Sequence, residues 1–146
     1  MISKLRFPLL LLVILSLVLA ACGGGGGGGG EKAPAGSGGP VTGDANRGKE
    51  LFNKAVIGSK SAPGCITCHS LEPGKTLVGP SLAGVAGRAE TAVSGKSAEE
   101  YLRESIVTPD AFIAKGFPPG VMYQNYGKDL SEQEIADLVA FMLTLK

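Results

Sequence analysis

The chain has little of what most sites and cores are built from. Its 146 residues include one histidine, three cysteines, no tryptophan and 5% aromatic residues. One histidine excludes any centre that takes two imidazoles from the same chain. A structural zinc site wants four nitrogen or sulfur ligands, and His69 with two nearby cysteines leaves it short. The formal net charge is +1, too small for a strong field, which argues against nucleic acid as a partner. The longest apolar run, Leu9 to Ala21, has 13 residues, short of the roughly 20 that span a bilayer. No alternating run of strand type and no internal repeat appears.

What is present centres on Cys65-Ile66-Thr67-Cys68-His69. Cysteines three positions apart can lie one helical turn from each other with their sulfurs facing the same way. A histidine directly after the second adds an imidazole. That is the arrangement a covalently attached c-type haem needs: each thiol joins a vinyl group and the imidazole takes the iron. A thioredoxin-like redox pair wants a strand-helix-strand setting, whereas this stretch sits among glycines, prolines and helical patterns. One haem c with its iron is the expected cofactor. It also answers the thin composition, because a large apolar cofactor supplies core surface that so few big side chains cannot.

The N-terminus reads as an export signal over residues 1–21, with Lys4 and Arg6 ahead of the apolar run. Leu19-Ala20-Ala21-Cys22 resembles a bacterial lipoprotein cleavage box, which implies a lipid on the Cys22 thiol. An ordinary secretory signal or a short uncleaved anchor are the alternatives. More than one acyl chain would hold the protein firmly to a membrane. Loss of the signal leaves 12 basic and 13 acidic groups. With Cys22 on lipid and Cys65 and Cys68 on haem, no thiol remains for a disulfide, and covalent haem serves as the staple of a small exported domain. Residues 22–43, with the unbroken run Gly23 to Gly30, are expected to form a flexible linker without fixed structure. About 20 such residues give a typical span of about 25 Å and a taut limit of about 70 Å. Such a reach raises the local concentration of partners at the membrane.

The folded domain is expected over residues 44–146. Asp44 can cap a helix carrying Gly48, Leu51, Phe52 and Ala55, and Gly48 would permit close approach of another helix. Ser97-Ala98-Glu99-Glu100 is a capping box for a second helix with Tyr101, Leu102, Ser105 and Ile106, ending by Thr108 ahead of Pro109. Ser131-Glu132-Gln133-Glu134 opens a last helix with Ile135, Leu138, Val139 and Met142 on one face. The expected fold class is all-α, about three to five helices with long glycine- and proline-rich loops wrapped around a large ligand.

From about Asp44 to Lys146 the chain resembles the small class I c-type cytochromes. The resemblance rests on Gly48 and Phe52, the Cys65–His69 stretch, Gly79-Pro80-Ser81-Leu82, Gly87-Arg88, Tyr101 to Ile106, Val121-Met122 and the last helix. The second half is similar to the cytochrome domain fused to subunit II of some haem-copper oxidases, although no copper-binding domain is present. It implies the cytochrome c fold around one covalently bound haem.

For the iron's sixth ligand, Met1 leaves with the signal and Met142 reads as core packing. Met122 lies in a loop stiffened by Phe117-Pro118-Pro119-Gly120, and the resemblance also points to it. An empty or lysine-occupied iron site is the alternative. Relatives often carry proline after this methionine, where this chain has Tyr123. The resemblance further implies that the Pro80 carbonyl receives the His69 N–H, and that Arg88 partners a haem propionate. A solvated surface arginine is the plain reading of Arg88. Tyr123, Asn125 and Tyr126 read as pocket hydrogen-bonders or as loop residues.

Histidine–methionine ligation leaves no open iron position and favours ferrous haem. The expected function is therefore a one-electron carrier, not an enzyme. It would be lipid-anchored at the outer, periplasmic face of a bacterial cytoplasmic membrane. Expected partners are membrane redox complexes: a quinol-oxidising complex, a terminal oxidase or a photosynthetic centre. The alternatives are a fixed haem subunit of a terminal oxidase, and a haem peroxidase or gas sensor.

Overall fold

The computed structural model describes residues 41–146. The expected signal, the lipid site Cys22 and the glycine run lie outside the described residues. Within them, helix α1 (Ala45–Phe52) leads to strands β1 (Val56–Ile57) and β2 (Ala62–Pro63) and a 3-10 turn at Cys65–Thr67. Helices α2 (Val85–Ala92) and α3 (Ala98–Val107), a 3-10 turn at Pro109–Ala111, α4 (Tyr126–Asp129) and α5 (Glu132–Leu143) follow. The fold is all-α apart from the antiparallel two-residue strands, where Val56 faces Pro63 and Ile57 faces Ala62. Among the described residues no helix is long and apolar enough to cross a membrane.

Three helices begin where their capping chemistry places them. Asp44 accepts the Asn46 and Arg47 N–H groups at 2.8 and 3.1 Å, satisfying donors that a first turn leaves free. Ser97 and Ser131 form complete capping boxes with Glu100 and Glu134. α3 ends at Val107, with Thr108 as its cap before Pro109.

α1 packs along α5 more extensively than any other helix pair in the described region. Gly48 explains how: a Cβ there would lie 1.9 Å from the Asp137 carbonyl oxygen, so any larger residue would force the helices apart. Gly43 stands in the same relation to Ala136, at 2.1 Å. Phe52 and Phe141 meet across the contact with ring centroids 5.5 Å apart. Asp137 is buried in the same interface. Its carboxylate receives the Asp44 N–H at 2.7 Å, two Arg47 guanidinium bonds at 2.8 and 2.9 Å, and the Gln133 amide at 2.9 Å. Burial pushes this carboxyl up, but those donors outweigh it and leave it below the usual carboxylate range.

The core runs from this contact through Val85, Ala89, Leu102, Ile106 and Leu138. The long loops between helices remain, and they form the walls of a cavity.

Candidate functional site: a cavity between a histidine turn and a methionine loop

The cavity has a volume of about 590 Å³, within the usual range for small-molecule and cofactor sites. Cys65, Cys68, His69, Pro80, Arg88 and Met122 all line it, although they span 58 positions of sequence.

The cysteine turn is held close to the chain before it. Gly64 donates its N–H to Ala55 at 2.8 Å, and a Cβ at Gly64 would meet the Lys54 carbonyl oxygen at 1.7 Å. The Thr67 hydroxyl donates to the Gly64 carbonyl at 2.6 Å, and the Cys68 and His69 N–H groups both donate to the Cys65 carbonyl. Both thiols are half-buried. Burial pushes the Cys65 thiol up to about 11, so it stays protonated at neutral pH.

His69 is gripped by the segment that follows. The Gly79 N–H donates to the Cys68 carbonyl at 2.9 Å, and the Leu82 N–H to the Ser70 carbonyl at 2.8 Å. Between these bonds the His69 Nδ1 lies 2.9 Å from the Pro80 carbonyl oxygen. A carbonyl can only accept, so Nδ1 carries the proton and Nε2 keeps its lone pair. Burial lowers the His69 pKa, and the Pro80 bond offsets this only in part. The ring is thus a neutral imidazole at neutral pH, with one nitrogen free to ligate a metal. Gly79 makes room for it: a Cβ there would lie 2.4 Å from His69 Cε1.

Met122 sits in the loop between the Pro109–Ala111 turn and α4, half-buried against the core. The Asp110 carboxylate accepts the Gly120 N–H at 3.0 and 3.1 Å. The Gln124 amide donates to the Met122 carbonyl at 2.8 Å and to Asp110 at 3.3 Å. Met142 packs in the core, as expected, but also reaches the cavity wall, so two thioethers border the space.

The remaining candidates divide. Arg88 borders the cavity and donates to the Ala83 and Ser81 carbonyls at 2.5 and 2.8 Å. It thereby ties α2 to the loop after Pro80, with guanidinium donors to spare. Tyr123 and Tyr126 line the cavity, but their hydroxyls are engaged elsewhere. Tyr123 donates to Asp129 and Tyr126 to the Pro63 carbonyl, each at 2.6 Å. Asn125 is not part of the lining. Phe112 and Ile113, which had no expected role, border the same space together with Phe117. Three large apolar residues in a loop were the available signal, since a loop has no core of its own to bury them in.

These residues fit a flat, apolar, iron-bearing cofactor. The walls are mainly apolar, two thiols lie one turn apart, a neutral imidazole is fixed at one nitrogen, and thioethers border the space. Among the described residues no cluster of three or more His, Cys, Asp and Glu side chains is placed to hold a bare metal ion.

Comparison with known proteins agrees with that chemistry. The cytochrome c family profile matches residues 45–146. Cytochrome c2 of Rhodopseudomonas palustris is 34% identical over 125 residues, covering 70% of this chain and 99% of that protein. Cytochrome c2 of Rhodopila globiformis is 34% identical over 116 residues, covering 75% of this chain and 100% of that protein. The c-type cytochrome cy of Rhodobacter capsulatus is 46% identical over 55 residues, covering 38% of this chain and only 23% of that protein's length. A match across the whole of the described helical region, with two relatives aligned over nearly their full length, shows that the chain belongs to the cytochrome c family, whose cofactor is one covalently bound haem c with its iron.

Proposed function

We propose that this protein is a one-electron carrier tethered to the outer face of a bacterial membrane. Cys65 and Cys68 would hold the haem through thioethers, with its iron between His69 and Met122. Haem, when bound, supplies a ferric/ferrous couple. The observation that carries the reading is the His69–Pro80 bond at 2.9 Å, which holds the ring proton on Nδ1 and leaves the Nε2 lone pair free for a metal in a cavity that Met122 also borders.

The chain's own groups support transfer without chemistry. The single histidine is engaged at one nitrogen, so no second imidazole is available as an acid or base for peroxide. Tight backbone bonds on the His69 side would limit how far the imidazole moves in a one-electron change. The walls are mostly apolar, and Arg88, which borders them, would offer a planar guanidinium to a haem propionate.

Cys22 would carry the lipid, and the glycine-rich segment ahead of Thr42 and Gly43, which pack on α5, would let the domain turn between membrane redox complexes. A quinol-oxidising complex on one side and a terminal oxidase or photosynthetic centre on the other fit such a shuttle. Intact mass of the mature protein tests both attachments together: one haem plus acyl chains is expected. The reduced protein should show a methionine–iron signature in proton NMR and resist carbon monoxide. Absence of that signature with ready carbon monoxide binding would overturn the carrier reading, and a detergent extract in which the protein always travels with an oxidase would replace the shuttle with a fixed subunit.

A further inference from the structure

The proposed function leaves one buried polar cluster without a task. Asp129, at the end of α4, is 6% exposed and lies outside the cavity lining. Its carboxylate accepts the Tyr123 hydroxyl at 2.6 Å, and Lys60 Nζ stands 3.4 Å from its other oxygen. Its backbone carbonyl accepts the Ser59 N–H at 3.3 Å. One residue therefore binds α4, the β1–β2 turn and the residue directly after Met122. The Tyr123 ring also stands edge-on to Tyr126, with centroids 5.1 Å apart. The Tyr126 hydroxyl reaches Pro63, two residues before Cys65.

The segment from Gly120 to Gln124 belongs to no helix or strand. Its place is fixed by side-chain bonds, and the one from Tyr123 is the shortest of them and the one that ends on a buried charge. A hydroxyl donating to a carboxylate is a strong, charge-assisted bond, and burial makes its loss costly. Met122 is covalently next to that hydroxyl's residue, so a backbone movement that carries the thioether out of the cavity strains or breaks the bond.

We infer that Tyr123 and Asp129 form a positioning latch that holds the Met122 segment against the cavity and joins it to the hairpin leading into Cys65. The inference rests on the reading of Met122 as an iron ligand. The latch sets how often the methionine side opens, by biasing a closed–open equilibrium. Phe at position 123 keeps the ring contact and removes only the bond.

The test uses the full-length, haem-loaded ferric protein, titrated with free imidazole, which competes with methionine for iron and binds only when the loop opens. Proton NMR of the reduced form reports methionine ligation alongside. Tyr123→Phe should raise imidazole affinity about tenfold, the effect of one lost charge-assisted bond, and Asp129→Asn should move it the same way. Ser97→Ala, which removes a helix cap away from the cavity, should lower the unfolding midpoint yet leave imidazole affinity at the wild-type value. Should Asp129→Asn fail to accumulate as holoprotein, Tyr123→Phe decides alone. Wild-type protein with the methionine signature and a Tyr123→Phe variant of unchanged affinity would overturn the latch only. Wild-type protein without that signature would overturn the ligand assignment and the latch with it.

Discussion

On the His69 side of the cavity, the bonds nearest the imidazole are made by the backbone. Bonds from His69 to Cys65, Gly79 to Cys68 and Leu82 to Ser70, with the Pro80 carbonyl on the imidazole, all fall within residues 65–82. On the Met122 side, side chains make them: Asp110 on Gly120, Gln124 on Met122, Tyr123 on Asp129. A backbone bond survives most substitutions, whereas each side-chain bond can be deleted singly. The histidine half should therefore fail only where space is violated, and the methionine half should soften by increments.

The largest effect is expected where the histidine half has no slack. Gly79→Ala places a methyl 2.4 Å from the imidazole, so either the ring or the backbone around it must shift and the Pro80 bond is put under strain. Holoprotein yield, read from the visible haem spectrum, should collapse. A normal yield would mean that the backbone around His69 is as adaptable as the other side. Next comes a pair that separates the two thioethers. Met122→Ala should abolish the methionine–iron NMR signature and open the ferrous protein to carbon monoxide. Met142→Ala should keep the signature while losing about 3 kcal/mol in urea unfolding, the usual cost of truncating a buried methionine.

Smaller effects are expected away from the cavity. Asp137→Asn removes the charge that Arg47, Asp44 and Gln133 surround, and should cost about 2 kcal/mol of unfolding free energy with haem ligation intact. The same group sets a pH dependence. Asp137 is held below its ordinary value of 3.8 by donors that outweigh its burial, and Asp129 below the same value, first by Tyr123 and then by Lys60. A depressed carboxylate stabilises the fold fully above its unfolded value and loses that contribution as pH falls through the folded one. The contribution of these two carboxylates should therefore be level above about pH 5 and decline below pH 3.8, with a shallower acid limb in Asp137→Asn. Least of all, Ser97→Ala should cost about 1 kcal/mol, seen as a lower urea midpoint.

The two halves also differ in how far the sequence disclosed them. Cys65, Cys68 and His69 form a chemical pattern within five residues, and the three capped helices carry their own start signals. α2 was not legible: it follows Gly84 at φ 68° with no capping side chain, and has a glycine inside it. α4 and the two strands are shorter than any periodicity. The burial of Asp137 was hidden because a carboxylate on a helix reads as solvated until its donors arrive from residues 90 and 93 positions away.

The sequence by itself determined the cofactor chemistry, because thiol, thiol and imidazole act through neighbours along the chain. It also determined where α1, α3 and α5 begin, since a cap bonds to donors only two or three residues on. Only the tertiary structure decided that Asp137 is buried among its donors, that Met142 shares the cavity with Met122, and how the Met122 segment is braced. Those depend on hydrogen bonds and contacts between residues distant in sequence, and no local pattern encodes the geometry that brings them together.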